Sequence, residues 1–135
     1  MLWLCPVFSF SQNYSKRRPP NLQGKIKIIT LKNDKKQNVG DYYYKPCDTW
    51  HVNKEAAYYI FRHAEVMSTF DLHNSFSIFA CYERGKVKID NKIYQYAING
   101  GSWFTLSTKD TTYYFGCILD SSTNKYFLSG VDLQN

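Results

Sequence analysis

Hydrophobic and polar residues alternate along most of the second half of the chain, in short runs separated by turn-forming residues. The runs occupy residues 76–82, 86–89, 92–99, 103–107 and 112–119. A period of two is typical of strands that bury one face of a sheet. The pattern therefore predicts a sheet whose strands follow one another along the chain.

The clearest hairpin in this region has Asp90 and Asn91 at its turn, because both residue types tolerate a left-handed backbone. Pairing Ile89 with Lys92 across this turn brings several apolar residues onto one face of the two strands. We expect that face to be buried, and it comprises Val87, Ile89, Tyr94, Tyr96 and Ile98. Gly100 and Gly101 then predict a turn that needs positive φ or close backbone approach.

The first half of the chain is more varied. Residues 25–32 alternate and predict a first strand, and residues 41–45 predict a short aromatic strand that stops at Pro46. From Asn53 to Ala64 the apolar residues recur every three or four positions, which predicts a helix with Asn53 as its N-cap. Residues 65–74 fit either a strand with a loop or a short helix, and residues 126–128 fit a last short strand.

Together these elements predict an α+β fold, a mainly antiparallel, meander-like sheet with one helix packed on one face. A chain of 135 residues with 44% hydrophobic residues suits a single domain, which we place at residues 25–135. The twelve tyrosines favour half-buried strand surfaces and contact faces over a helical bundle.

Residues 1–11 are almost wholly apolar and uncharged, and Ser9-Phe10-Ser11 gives a small-x-small pattern. This is typical of the end of a secretory signal peptide, here truncated because the basic segment that normally precedes it is missing. Residues 12–24 then form a polar, proline-containing lead-in that we expect to be flexible. The prediction is a periplasmic or secreted protein. If residues 1–11 are instead a buried strand, the protein is cytoplasmic.

The net charge of +6 comes largely from two short runs, at residues 16–18 and 32–36, which we interpret as a solvated tail and a solvated turn. Basic runs can also attract nucleic acid, anionic lipid or an acidic protein. We expect no nucleic-acid partner, because strand alternation already explains Lys88, Lys92 and Tyr94 near the hairpin.

Loss of residues 1–11 would leave Cys47, Cys81 and Cys117. In an oxidising compartment, three cysteines suit one disulfide and one remaining thiol. The spacing of cysteines and histidines does not match a zinc site, and no phosphate-binding loop follows Gly100-Gly101. No cofactor or metal is expected.

No residue set in the sequence defines a reaction. The acids Glu55, Glu65, Asp71 and Glu83 are scattered and show no paired placement. We therefore expect a protein that acts by binding rather than by catalysis. The alternative from another class is a small hydrolase or nuclease that uses His73 with Cys81 or a nearby acid.

One resemblance covers residues 50–127. It is carried by Trp50, by His73 ahead of Cys81, by the GKVKI run, by the segment from Tyr94 to Gly101 and by the YFGC run that ends at Cys117. The segment resembles small exported bacterial immunity-like proteins that accompany secreted toxins. This family has a further cysteine after the YFGC-like run, which residues 120–125 lack.

The resemblance implies an immunity or accessory protein that neutralises a cognate toxin by covering it. For Cys117 it implies a disulfide, with Cys81 as the first candidate partner and Cys47 as the second. A structural envelope protein is the remaining alternative. The candidate partner-binding face combines the aromatic run 42–44 with the turn before the fifth predicted strand, and its residues are Tyr42, Tyr43, Tyr44, Gly100, Gly101 and Trp103.

Overall fold

Six antiparallel strands and two α-helices make up the fold in a computed structural model, which describes residues 18–117 and 121–128. The strands are β1 (Ile26–Asp34), β2 (Glu65–Met67), β3 (Tyr82–Ile89), β4 (Lys92–Asn99), β5 (Trp103–Ser107) and β6 (Thr112–Gly116). The helices are α1 (Lys54–Arg62) and α2 (Thr69–Ser75), and three 3₁₀ turns lie at Gly40–Tyr42, Lys45–Asp48 and Ser121–Tyr126. The predicted signal peptide at residues 1–11 lies outside the described residues.

The strand order in the sheet is β1-β3-β4-β5-β6-β2, and every neighbouring pair is antiparallel. Strands β3 to β6 form a meander because each is joined to the next by a short turn. Strands β1 and β2 come from the first half of the chain and pair with the two outer strands of that meander. The α+β prediction with a meander-like antiparallel sheet is confirmed.

The hairpin between β3 and β4 has the predicted register. Val87 lies opposite Tyr94 and Ile89 opposite Lys92, and Asp90 adopts a φ of 53° at the turn. All five residues expected on the buried face are buried. Alternation along these two strands therefore determines which side of the sheet faces the core.

Helix α1 packs on that buried face. Its N-cap is Asn53, as predicted, and the side-chain oxygen of Asn53 accepts a hydrogen bond of 2.8 Å from the backbone N–H of Ala56. The ring of Phe61 meets the rings of Tyr96 and Phe104 edge-on, with centroids 5.3 and 4.9 Å apart. Burying one such side chain stabilises the fold by about 1.5–3 kcal/mol, so α1 is held to the sheet by its apolar side.

Residues 65–74, which fitted either a strand or a helix, contain both β2 and most of α2. Helix α2 begins with a capping box, in which the side chains of Ser68 and Asp71 each accept a hydrogen bond from the other's backbone N–H. The fold therefore has a second short helix beyond the one predicted.

Three predicted strands are wrong. Residues 41–45 form parts of two 3₁₀ turns, residues 76–81 are irregular, and residues 126–128 are the last residue of the third 3₁₀ turn and the bend after it. In the first two segments, side-chain amides satisfy the backbone groups that a neighbouring strand would otherwise bind. In the third, the N–H of Leu128 donates to the carbonyl oxygen of Gly100, and no ladder continues from there.

The core extends beyond the sheet. Leu22, ahead of β1, is buried, and its carbonyl oxygen accepts a hydrogen bond from the guanidinium of Arg62. Trp50 and Val52, just before α1, are also buried. None of the helices within the described residues is long and apolar enough to cross a membrane.

Candidate functional site

An apolar groove of about 760 Å³ opens between residues 36–44 and residues 78–82. We call it the aromatic groove. Apolar side chains along it are unusually open to solvent, since Val39 is 62% exposed, Tyr42 79%, Tyr43 52% and Ile78 54%. Clustered exposed apolar side chains of this kind mark sites where a protein binds another molecule.

The first wall of the groove is the loop that carries Tyr42, Tyr43 and Tyr44. Buried Asn38 holds this loop, because its side-chain oxygen accepts from the N–H of Tyr44 at 2.6 Å and its amide donates to the Tyr44 carbonyl at 3.2 Å. The hydroxyl of Tyr43 donates to the carboxylate of Asp48, and this hydrogen bond raises the pKa of Tyr43. The tyrosines are therefore presented on a braced loop.

The second wall is the irregular segment that contains Ile78 and Phe79. The buried side chain of Asn99 accepts from the N–H of Phe79 at 3.0 Å and donates to its carbonyl oxygen at 2.7 Å. Next to it, the indole N–H of Trp103 donates to the carbonyl oxygen of Ser77 at 3.0 Å. Two side chains of the sheet therefore fix this wall without a strand partner.

A disulfide between Cys47 and Cys81 joins the two walls, with a Cα–Cα distance of 5.6 Å. Cys47 lies three residues after Tyr44 and Cys81 lies two residues after Phe79. The rings of Tyr44 and Phe79 stack between the walls with centroids 5.0 Å apart. Disulfides are typical of proteins that mature in an oxidising compartment. The sequence predicted one disulfide, and one is present, although neither of its cysteines lines the aromatic groove.

The predicted pairing of Cys81 with Cys117 is wrong. Cys81 precedes β3 and Cys117 follows β6, and β4 and β5 lie between these strands. Three strand spacings are about 14 Å, whereas a disulfide needs Cα atoms within about 7 Å. Cys117 is instead a buried thiol, with its sulfur 3.8 Å from the carbonyl oxygen of Ile60 in α1.

The predicted partner-binding residues fall into two groups. Tyr42 and Tyr43 are exposed on the groove and Tyr44 is half-buried in its wall, which leaves their predicted role open to test. Gly100, Gly101 and Trp103 are buried, and so they cannot contact a partner directly. The prediction that the turn at residues 100–103 forms part of the contact surface is wrong.

That turn still matters for the groove. A Cβ atom on Gly101 would lie 1.7 Å from the carbonyl oxygen of Ser77, so only glycine lets the second wall approach the sheet this closely. The double glycine predicted either a positive φ or a close approach of two backbone segments, and the structure shows the close approach. The positive φ falls on Ser102, at 73°.

The alternative nucleophile is also wrong. Cys81 is buried and bonded to Cys47, so it has no thiol to activate. His73 is exposed in the last turn of α2, and the neighbouring acid, Asp71, accepts a hydrogen bond from the backbone N–H of Ser68 in the capping box. The described residues do not bring His73 and Cys81 into a shared site.

A histidine–carboxyl pair that the sequence did not predict lies at the start of β3. Glu83 is completely buried, and its Oε1 accepts from the amide of Asn33 at 2.5 Å and from the N–H of Val52 at 3.1 Å. Oε1 also lies 2.9 Å from Nδ1 of His51, whose side chain is 61% exposed. Among the described residues, Oε2 has no hydrogen-bond partner.

This pair holds an exposed imidazole in a fixed orientation, which is the arrangement that a general base requires. Strand parity could have revealed it, because Glu83 alternates with Val87 and Ile89 on the core-facing side of β3. The contacts of Glu83, however, fix the chain around Trp50 and Val52, since Asn33 also donates to the carbonyl oxygen of Trp50 at 3.1 Å. We therefore interpret Glu83 as an internal acceptor that joins β1 and β3 to the entry of α1.

No group of three or more histidine, cysteine or acidic side chains is placed to hold a metal ion in the part of the chain that the structure describes. Comparison of the chain with protein-family models, with curated proteins and with solved structures finds no match. The aromatic groove is therefore the feature of the described residues that best indicates a function.

Proposed function

We propose that this is an exported binding protein and that the aromatic groove is its contact surface for another protein. The observation that carries the proposal is the exposure of Val39, Tyr42, Tyr43 and Ile78 around one concavity. Tyrosine gives a large contact area at low conformational cost, and such side chains dominate the energy of many protein interfaces.

The construction of the groove supports the same proposal. The amide of Asn38 braces one wall, the amide of Asn99 braces the other, and the disulfide joins them. A surface whose backbone is already fixed loses little entropy when a partner binds. Exposed apolar side chains lower the solubility of a protein. Their presence on a surface with a fixed backbone therefore indicates that the surface binds a partner.

Export is supported by the disulfide and by the sequence pattern at residues 1–11. We propose a periplasmic or secreted location on these two grounds. The more specific role, an immunity or accessory protein that covers a secreted toxin, rests on the sequence resemblance over residues 50–127. In that role, an apolar or aromatic side chain of the toxin would enter the groove.

The proposal is tested by co-expressing the full-length tagged chain with the product of the neighbouring gene, since immunity proteins are encoded beside their toxins. The variants are Tyr42→Ala in the groove and Phe70→Ala as the matched control. Phe70 is an aromatic residue of α2 with a similar exposure of 73%, and it does not line the groove.

We expect the wild type and Phe70→Ala to co-purify with that protein and protect the cells against it. Tyr42→Ala should weaken the complex by about tenfold or more, as for a central aromatic contact. Equal binding by all three proteins would exclude the groove as the contact surface. If no complex forms with the neighbouring product and no protection is seen, the immunity role is wrong.

A further inference from the structure

The sheet has a second face, opposite the one covered by α1, and much of it is open to solvent. Outward-facing residues of β1, β3, β4 and β5 surround a shallow depression of about 440 Å³. Its lining includes Lys32, Arg84, Lys86 and Gln95, with no acidic residue among the lining residues. This surface differs from the aromatic groove in its charge, since three of its lining residues, Lys32, Arg84 and Lys86, are cationic.

Strand register concentrates the positive charge into a stripe. Lys27 lies directly opposite Lys88, and Lys32 lies directly opposite Arg84. We define the basic stripe as Lys27, Lys32, Arg84, Lys86 and Lys88. The acid that neutralises part of it is Asp34, whose carboxylate lies 2.9 Å from Nε of Arg84.

The facing pairs are the informative feature, because like charges directly opposite each other destabilise a sheet. Lysines on an edge strand often prevent aggregation, and this would explain Lys27 and Lys32 on β1. It does not explain Arg84, Lys86 and Lys88, because β3 lies inside the sheet between β1 and β4. Asp34 offsets the charge of Arg84, so the repulsive pair that remains across this ladder is Lys27 with Lys88. A ligand that neutralises Lys88 and the neighbouring Lys86 explains this pair better.

We infer that the basic stripe binds an acidic, extended segment of the partner protein. This inference rests on the proposed protein-binding function and specifies the chemistry of the partner. Outward-facing residues of a strand recur about every 6.6 Å, and the acidic residues of an extended chain with alternating acids recur at the same spacing. The charges on β3 can therefore be matched one by one.

The stripe is continuous with the aromatic groove through Tyr82. The guanidinium of Arg84 lies over the ring of Tyr82, with its central carbon 4.3 Å from the ring centroid, and Tyr82 also lines the groove. A partner that places an apolar side chain in the groove would therefore place its adjoining acidic segment on the stripe. Charges at this position would speed association and select the partner.

Single-stranded nucleic acid is the competing ligand, and the surface suits it less well. Proteins that bind it present aromatic rings on which bases stack. On the stripe itself the ring is that of Tyr82, and Arg84 covers it, whereas the exposed rings of Tyr42 and Tyr43 belong to the aromatic groove. An acidic polypeptide needs only the cations.

The test uses the full chain and two probes, a labelled peptide in which glutamate alternates with threonine, and an oligothymidylate of equal charge. Lys86→Glu/Lys88→Glu reverses the stripe. Lys54→Glu/Lys109→Glu makes the same change in net charge at exposed positions on α1 and on the turn after β5. Binding is followed by fluorescence anisotropy at low ionic strength.

We expect the wild type and the control variant to bind the peptide alike, and the stripe variant to bind it about tenfold or more weakly, since two attractions become repulsions. Equal weakening in both variants would show a net-charge effect and overturn the inference. Tighter binding of the oligothymidylate than of the peptide would also overturn it, in favour of nucleic acid.

Denaturant unfolding of each variant tests whether a loss of binding comes from misfolding. Lys88→Glu places an acid opposite Lys27, so the stripe variant should unfold at a higher denaturant concentration than the wild type. Lower stability would contradict the repulsion on which the inference depends. Tyr42→Ala should leave peptide binding unchanged, so failure of the stripe and failure of the groove can be told apart.

Discussion

The side chain of Asn99 binds both backbone polar groups of Phe79, although twenty residues separate the two in sequence. Asn99 ends β4, and its side chain is fully buried. The same side-chain oxygen also accepts a hydrogen bond from the N–H of Gly101 at 2.9 Å. One amide therefore fixes both the turn after β4 and a wall of the aromatic groove.

Asn99→Ala should therefore destabilise the protein. The change leaves the N–H and carbonyl of Phe79 without their partner, which costs about 1–3 kcal/mol in the free energy of unfolding. Urea denaturation measures the loss. The control is Gln95→Ala on the same strand, an exposed residue for which we expect a change within about 0.5 kcal/mol. Similar losses in the two variants would show that Asn99 does not brace the groove.

Glu83→Ala should destabilise the fold far more than His51→Ala. Removing the buried carboxyl leaves Asn33 and the N–H of Val52 without an acceptor, at a cost of about 3 kcal/mol. The His51 side chain is 61% exposed, so its loss should cost less than about 1 kcal/mol. Thermal or urea unfolding of both variants gives the comparison. Equal losses of unfolding free energy in the two variants would mean that Glu83 stabilises the fold mainly through its contact with His51.

Tyr96 should make stability fall at alkaline pH. Burial, together with the nearby carboxyl of Glu83, raises the pKa of Tyr96 above its ordinary value, so the folded state favours the neutral phenol. The stabilisation is fully present below the pKa of an unfolded tyrosine, about 10, and is lost as the pH rises from there towards the raised pKa of the folded state.

Tyr96→Phe should therefore reduce the slope of the unfolding free energy against pH above about 10. At neutral pH it should cost about 1 kcal/mol, because the hydroxyl donates to the carbonyl oxygen of Thr30 at 2.6 Å. Urea unfolding across this pH range measures both effects. Tyr42→Phe, at an exposed position, is the control and should keep the slope of the wild type. An unchanged slope in Tyr96→Phe would contradict the assignment.

The disulfide can be checked by mass spectrometry without reduction. Trypsin cleaves after lysine and arginine but not before proline, so it separates residues 37–54, 63–84 and 110–125, each with one cysteine. We expect the first two peptides to be linked through Cys47 and Cys81, and the third, with Cys117, to be found alone. A linked pair that includes Cys117 would contradict the structure.

Loss of the disulfide should also lower stability. In Cys47→Ser/Cys81→Ser, the unfolded chain regains the freedom of a loop with a sequence separation of 34 residues. For a loop of that length the cost is about 3–4 kcal/mol. Unfolding of the variant and of the reduced wild type should agree, and a loss confined to one of them would indicate an effect of the serines.

The hairpin and its buried face could be predicted because the signals lie close together in sequence. Alternation from Val87 to Ile89 and from Tyr94 to Ile98, with Asp90 at the turn, favours one register, in which Val87, Ile89, Tyr94, Tyr96 and Ile98 face inward. The cap of α1 at Asn53 is local in the same way. Such elements are specified by neighbouring residues alone.

The groove could not be predicted, because its walls have the composition of strands. Residues 41–45 and 76–81 are rich in aromatic and β-branched residues, yet Asn38 and Asn99 satisfy their backbones. Nothing in the sequence marks Asn99 as the partner of Phe79. Tyr42 and Tyr43 lie exposed on the groove, and their binding role stays a prediction. Trp103, which the sequence placed on the contact surface, is buried and supports the second wall through Ser77.

The placement of β1 and β2 at the two edges of the sheet has a consequence for the order of folding. Both strands are synthesised before their partners β3 and β6, so residues 26–67 leave the ribosome with no strand to pair with. The meander closes through contacts between sequence neighbours, which form quickly. β2 then docks only when Gly116 is available, and so the second half of the chain is the template on which the first half folds.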